Sequence, residues 1–164
     1  MPHYAYLATE LRCPECSILV TDVVWFQWGF CPGHGLREEY LYHVRDPIKW
    51  RHCKDGSILS WAYFMDEKPT GGANIGDTAI TNVIVRDVAQ FWWEDPAKRR
   101  RCEHCGQPIE GVAIEIRDGV IQRAWVYRSG ELDNQVEYFI LQPDGGVKPM
   151  PEWNDHPMGV VNTC

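Results

Sequence analysis

Val112-Ala113-Ile114-Glu115-Ile116-Arg117, then Asp118-Gly119, then Val120-Ile121-Gln122-Arg123-Ala124-Trp125-Val126-Tyr127, is the stretch that decides the fold. Both flanks are dense in β-branched and aromatic residues, which suit a pleated, half-buried surface. Asp-Gly between two such runs predicts a type I′ turn, because both central positions of that turn need positive φ. The stretch therefore reads as an antiparallel hairpin.

Working outward, Leu19 to Gln27, Tyr40 to Val44, Ser60 to Phe64 and Thr81 to Arg86 carry the same strand composition. Val136 to Leu141, Pro143-Asp144-Gly145-Gly146 and Val147 predict a second hairpin. In the strand through Trp25-Phe26-Gln27-Trp28, alternation puts Trp25 on one face and Phe26 and Trp28 on the other. With large rings on both faces, that strand is expected to be sandwiched in the interior.

Helical signals are sparse. Asp87 is placed to cap a short helix through Val88 to Trp93, and Pro96 to open a turn through Ala97 to Arg100. Pro69 to Asp77 is glycine-rich and reads as an exposed loop. It is not a phosphate-binding loop, because no Gly-Lys-Ser/Thr follows. The expected fold is mainly β: a compact single domain of antiparallel strands over residues 1–147, with one or two short helices. Residues 148–164 read as an extended proline-rich tail with Trp153 anchored on the body.

At 164 residues with 45% hydrophobic content, the chain suffices for one conventional core. Eight Trp and seven Tyr supply large buried area per residue. The net charge of −7 argues against a duplex nucleic-acid binder, which needs a basic face to release counterions. The first residues, Met1-Pro2-His3-Tyr4-Ala5-Tyr6, carry no basic segment followed by an apolar run, and no stretch has the length of a membrane span. A cytoplasmic setting, with reduced cysteines, is the expectation.

Two of those cysteine groups carry chemistry. Cys13-Pro14-Glu15-Cys16 and Cys102-Glu103-His104-Cys105 each have the spacing of half a tetrahedral zinc site, and each follows an arginine, Arg12 and Arg101. Together Cys13, Cys16, Cys102 and Cys105 are expected to hold one structural Zn2+ per chain. A redox dithiol at Cys13 and Cys16 needs a helix N-terminus, whereas Ser17-Ile18-Leu19-Val20-Thr21 continues as strand. Neither pair is followed directly by His, which excludes haem attachment.

These two pairs and their β-rich flanks resemble the zinc-ribbon class, in which each ligand pair sits at the turn of a β-hairpin. The resemblance implies that backbone amides at each turn point toward the thiolates. Gly106 after Cys105 suits such a turn, and Ser17 after Cys16 is small enough for it.

A second group, Cys31, His34, His52 and Cys53, offers metal donors. Adjacent residues on a strand face opposite ways, however, so His52 and Cys53 are poorly placed to share an ion. Asp22, Asp46, Asp77, Asp87, Glu115 and His43 show no spacing that forces two of them together, so no catalytic residue is nominated. A four-thiolate site has no open position for water and points to structure. The closed site, acidic balance and excess aromatics lead to a protein-interaction module: an adaptor, an inhibitor or an immunity-type protein whose partner is another protein. The rival readings are an enzyme with a site near Gly71 to Asp77, and a nucleic-acid-associated zinc protein using Lys98 to Arg101 with Arg12 and Arg37.

Overall fold

The computed structural model describes residues 5–29, 41–52, 55–56, 58–65, 68–76, 80–87, 101–133 and 136–150. The fold is mainly β, and no helix occurs among the described residues. Its centre is the expected hairpin. Strands β8 (Val112–Arg117) and β9 (Val120–Val126) pair antiparallel, with Arg117 opposite Val120. Asp118 and Gly119 between them have φ of 50° and 73°, the positive values that a type I′ turn demands.

A bulge in this hairpin sets which side chains reach the core. The register shifts between Glu115 and Ile116, so that one extra residue on β9 lies between the pairs Glu115–Arg123 and Ile116–Ile121. A one-residue insertion flips the face of everything beyond it. Ile121 and the even-numbered Ala124 and Val126 thereby point into the same core.

Around the hairpin a five-stranded sheet forms in the order β11-β10-β7-β8-β9, adding β7 (Val83–Asp87), β10 (Tyr138–Leu141) and β11 (Val147–Pro149). A three-stranded sheet has the order β2-β1-β3, with β1 (Ala5–Arg12) antiparallel to β2 (Leu19–Phe26) and parallel to β3 (Leu41–His43). The two sheets share one core. Leu7, Leu11, Val24 and Phe26 of the smaller sheet meet Val83, Val85, Ile114 and Ile116 of the larger. Trp28 closes one end, its ring 5.1 Å from Tyr138 and 6.1 Å from Trp50. Gly29 follows with φ of 74°, and a Cβ there would lie 2.4 Å from Ile48 Cγ2 and 2.6 Å from the Lys49 carbonyl oxygen. Only glycine lets the chain pass so close.

The opposite face of the five-stranded sheet carries a second, smaller cluster: Ile84, Ala113, Tyr127, Leu132, Phe139 and Leu141. Arg86 lies on the same side of β7 as Ile84 and is only 8% exposed. Its guanidinium donates to the Val136 carbonyl and to the Tyr127 hydroxyl, so the buried cation is not left unbonded.

Several expectations change. The strand holding Trp25 is buried on one face alone. Phe26 and Trp28 are fully buried, while Trp25 is 40% exposed and packs edge-on against Tyr6. Strand β2 belongs to an outer layer, so only its even-numbered rings find a second sheet. The glycine-rich stretch is not a loop: β6 (Lys68–Gly76) pairs antiparallel with β5 (Ile58–Met65), which also pairs with β4 (Arg51–His52). Glycine has weak strand preference of its own, but the backbone donors and acceptors of β5 supply a ladder that needs no side chain. Strand β1 escaped the composition reading.

Residues 148–150, expected in the proline-rich tail, join the five-stranded sheet. Lys148 and Pro149 pair with Ile140 and Phe139, and the Met150 amide donates to the Tyr138 carbonyl. Pro149 is tolerated because β11 is an edge strand. Residues 151–164, including Trp153, and the expected helices over 88–93 and 96–100 lie outside the described residues.

Candidate metal centre

The two Cys-x-x-Cys segments fold to the same local plan. In the first, between β1 and β2, the Cys13 amide donates to the Ile18 carbonyl at 2.8 Å and the Ser17 amide to the Cys13 carbonyl at 2.9 Å. In the second, the Cys102 amide donates to the Gln107 carbonyl at 2.9 Å and the Gly106 amide to the Cys102 carbonyl at 2.8 Å. The residue after the second cysteine adopts positive φ in both, 63° at Ser17 and 74° at Gly106. Arg12 pairs with Leu19 across the first knuckle, and Arg101 with Pro108 across the second. The sequence repeat is thus a repeat of structure.

The knuckles face one another. Cys13 Sγ lies 3.6 Å from Cys105 Sγ, and Cys16 Sγ lies 3.5 Å from Cys102 Sγ. All four sulfurs fall within 4.8 Å of each other. A tetrahedral ion with bonds of about 2.3 Å to sulfur requires sulfur–sulfur separations of about 3.8 Å, so the cluster fits one metal ion. Cys13 and Cys102 are buried, Cys16 is half-buried and Cys105 is exposed. One side of the centre therefore opens toward solvent.

Without a cation, the thiols of Cys102, Cys105 and Cys16 depart from the ordinary range in different directions. Amides of Cys105 and His104 directed at the Cys102 sulfur pull that thiol down to about 6. At Cys105 the Gln107 amide also pulls downward, but burial and the neighbouring thiols of Cys13, Cys102 and Cys16 outweigh it and push the group up to about 12. Cys16 is raised as well: the Ile18 amide lowers it, while burial and contact with Cys102 raise it further. The amides thus favour the ionised form at Cys102, while burial and the neighbouring thiols disfavour it at Cys105 and Cys16. A divalent cation at the centre reverses that penalty.

Arg128, which follows β9, ties the first knuckle to the main sheet. Its Nε donates to Glu15 at 2.9 Å and its Nη2 to the Pro14 carbonyl at 2.8 Å. Glu131 holds the base of this clamp by accepting from the Arg128 amide and the Trp125 indole. No sequence signal marked Arg128, because its partners are more than a hundred residues away and the pairing depends on how the sheets stack.

Of the second donor group, His52 is exposed on β4, while Cys31, His34 and Cys53 lie outside the described residues. His43 is exposed and sits 3.6 Å from Asp46, whose carboxylate accepts the His43 amide. Glu115 pairs with Arg117 and Arg123 on the sheet surface. These acids and His43 form no common site among the described residues. Gly71 to Asn74 and Gly76 pair with β5, so this stretch is strand where a loop was expected, and Asp77 lies outside the described residues. Within the run Lys98 to Arg101, only Arg101 is among the described residues, and it is exposed.

His104, between the two cysteines of the second knuckle, is exposed and is not one of the clustered donors. No protein family, no curated protein and no solved structure matches this chain.

Proposed function

We propose that Cys13, Cys16, Cys102 and Cys105 hold one structural zinc ion, and that the chain is a zinc-stabilised β module that acts by binding another protein. The observation that carries the metal reading is the mutual approach of four sulfurs, two from each knuckle, within 4.8 Å. Four soft thiolates gathered about one point suit Zn2+, whose filled d shell imposes no geometric preference of its own. All four positions are taken by protein, so the ion has no site for a reacting water. Its work is to join the β1–β2 hairpin to the segment before β8. Reduced thiolates of this kind suit the cytoplasm.

Protein binding is supported by the surface beside the metal. Ile18 and Leu19 emerge exposed from the first knuckle, and Trp25 is exposed further along β2. Glu15, Asp22 and Glu103 are also exposed, and the whole chain carries −7. Exposed apolar side chains on a net acidic chain suit a protein partner with a basic surface.

Elemental analysis of the purified protein tests the metal; about one zinc per chain is expected, and iron or no metal in the reduced protein overturns the assignment. The binding reading is tested by affinity capture from the native cell with the intact chain and with Leu19→Asp and Trp25→Asp. A basic partner held by the intact chain and lost with both variants supports it. Turnover of a substrate that is abolished by a single Asp or His substitution overturns it.

A further inference from the structure

We propose that Arg12 and Arg101 are positioning residues of the metal centre, a proposal that rests on the four-thiolate reading above. Each arginine immediately precedes the first cysteine of its knuckle. Each guanidinium crosses its own turn to the same place: Arg12 Nη1 donates to the Ser17 carbonyl at 3.1 Å, and Arg101 Nη1 donates to the Gly106 carbonyl at 3.2 Å. Ser17 and Gly106 are the two residues with positive φ that close the turns. The same five-residue hydrogen bond is thus made twice, in segments that share no neighbouring sequence beyond Arg-Cys-x-x-Cys.

Two consequences follow from this geometry. First, the bond fixes the carbonyl after the turn, and with it the direction of the amides that face the sulfurs. The amides of Ile18 and Gln107 lie directly beyond the held carbonyls and are the ones that act on Cys16 and Cys105. Second, a divalent ion with four thiolates carries a net charge of −2, and one arginine on each knuckle supplies two positive charges beside it. Both arginines are exposed, so hydrogen-bond direction contributes more than Coulomb attraction through water.

The two are not equivalent. Arg12 also donates to Glu10 at 2.8 Å, which offsets part of its charge. Among the described residues, Arg101 meets no carboxylate. Arg101 is therefore the stronger of the pair.

Zinc affinity of the full chain is read by competition with a chromophoric chelator, with Co2+ substitution to record the tetrahedral thiolate spectrum. Arg101→Gln is expected to weaken zinc binding about tenfold, the range typical of groups that orient metal ligands. Arg12→Gln should lose less, and Arg101→Lys should recover only part, since an ammonium lacks the planar fork. The folded state is checked by circular dichroism, and the Co2+ spectrum confirms that the four sulfurs remain ligands. If both Gln variants hold zinc as tightly as the native chain, the arginines position nothing and the proposal is overturned. Equal loss from Arg101→Gln and from a charge-removing exposed change on edge strand β11, Lys148→Gln, also overturns it. A native chain that binds no metal refutes the zinc reading instead, so the two failures are distinguishable.

Discussion

Cys13 Sγ and Cys105 Sγ lie 3.6 Å apart although 92 positions separate them in the chain. The first stands at the end of β1 and the second in the turn before β8, so their meeting couples two sheets as well as two knuckles. A metal at that point closes a long loop. It stabilises the folded chain by whatever the ion gains from four thiolates at once.

Removing one ligand should release that coupling. Cys102→Ser is expected to lower zinc content from one per chain to well below it and to destabilise the domain by several kcal/mol, structural zinc binding being worth on the order of 10 kcal/mol in small modules. Elemental analysis and thermal unfolding provide the check. Retention of full metal by this variant refutes the ligand set.

Metal binding should release protons and strengthen with pH. Near pH 7 the Cys102 thiol, held at about 6, is already largely ionised, whereas Cys105, at about 12, keeps its proton. Cys16 is also raised. Zinc must displace the protons that remain, so acid favours the metal-free chain and alkali the metal-bound one. The metal-derived stability is present at neutral and higher pH and is lost as pH falls. Calorimetric zinc titrations in two buffers of different ionisation enthalpy count the protons; a count of zero contradicts the prediction.

The two knuckles invite a reciprocal exchange. Ser17 holds φ of 63°, a region costly for any residue with a Cβ, while Gly106 holds 74° in the same role. Ser17→Gly is expected to stabilise the protein by up to about 1 kcal/mol, and Gly106→Ala to destabilise it by a similar amount. A Cβ at Gly106 meets nothing within 4 Å, so the cost there is backbone strain alone. Opposite signs in melting temperature are the readout.

Gly29 and Gly119 separate strain from collision. Both have positive φ, but a Cβ at Gly119 approaches only Thr81 Cγ2, at 3.7 Å, whereas one at Gly29 collides with Ile48 and with the Lys49 backbone. Gly119→Ala should cost about 1 kcal/mol, and Gly29→Ala several, since the Lys49 carbonyl cannot rotate away. Chemical denaturation of both variants tests the order, and equal losses disprove it.

Much of the β architecture was legible because its signals are local. Val112 to Arg117 matches β8 residue for residue, and the Asp118-Gly119 turn follows from the conformations those two residues alone accept readily. The spacing of each cysteine pair was legible for the same reason, since four consecutive residues suffice to form a bite on a metal. Strand β1 was not: Ala5-Tyr6-Leu7-Ala8-Thr9 has no strong strand composition, and it is a strand because β2 and β3 flank it. The β6 ladder, likewise, exists through its pairing with β5.

The sequence by itself determined that this chain turns at Asp118-Gly119, builds strands around that turn and carries two Cys-x-x-Cys pairs with the spacing of metal half-sites. Local backbone preference and ligand spacing need no partner far along the chain. Tertiary structure alone decided that Cys13 lies beside Cys105 and Cys16 beside Cys102, that Trp25 faces outward while Phe26 and Trp28 are buried, and that Arg128 grips Glu15. Those outcomes depend on which sheet face packs on which, and that is set by the summed burial of residues from distant strands.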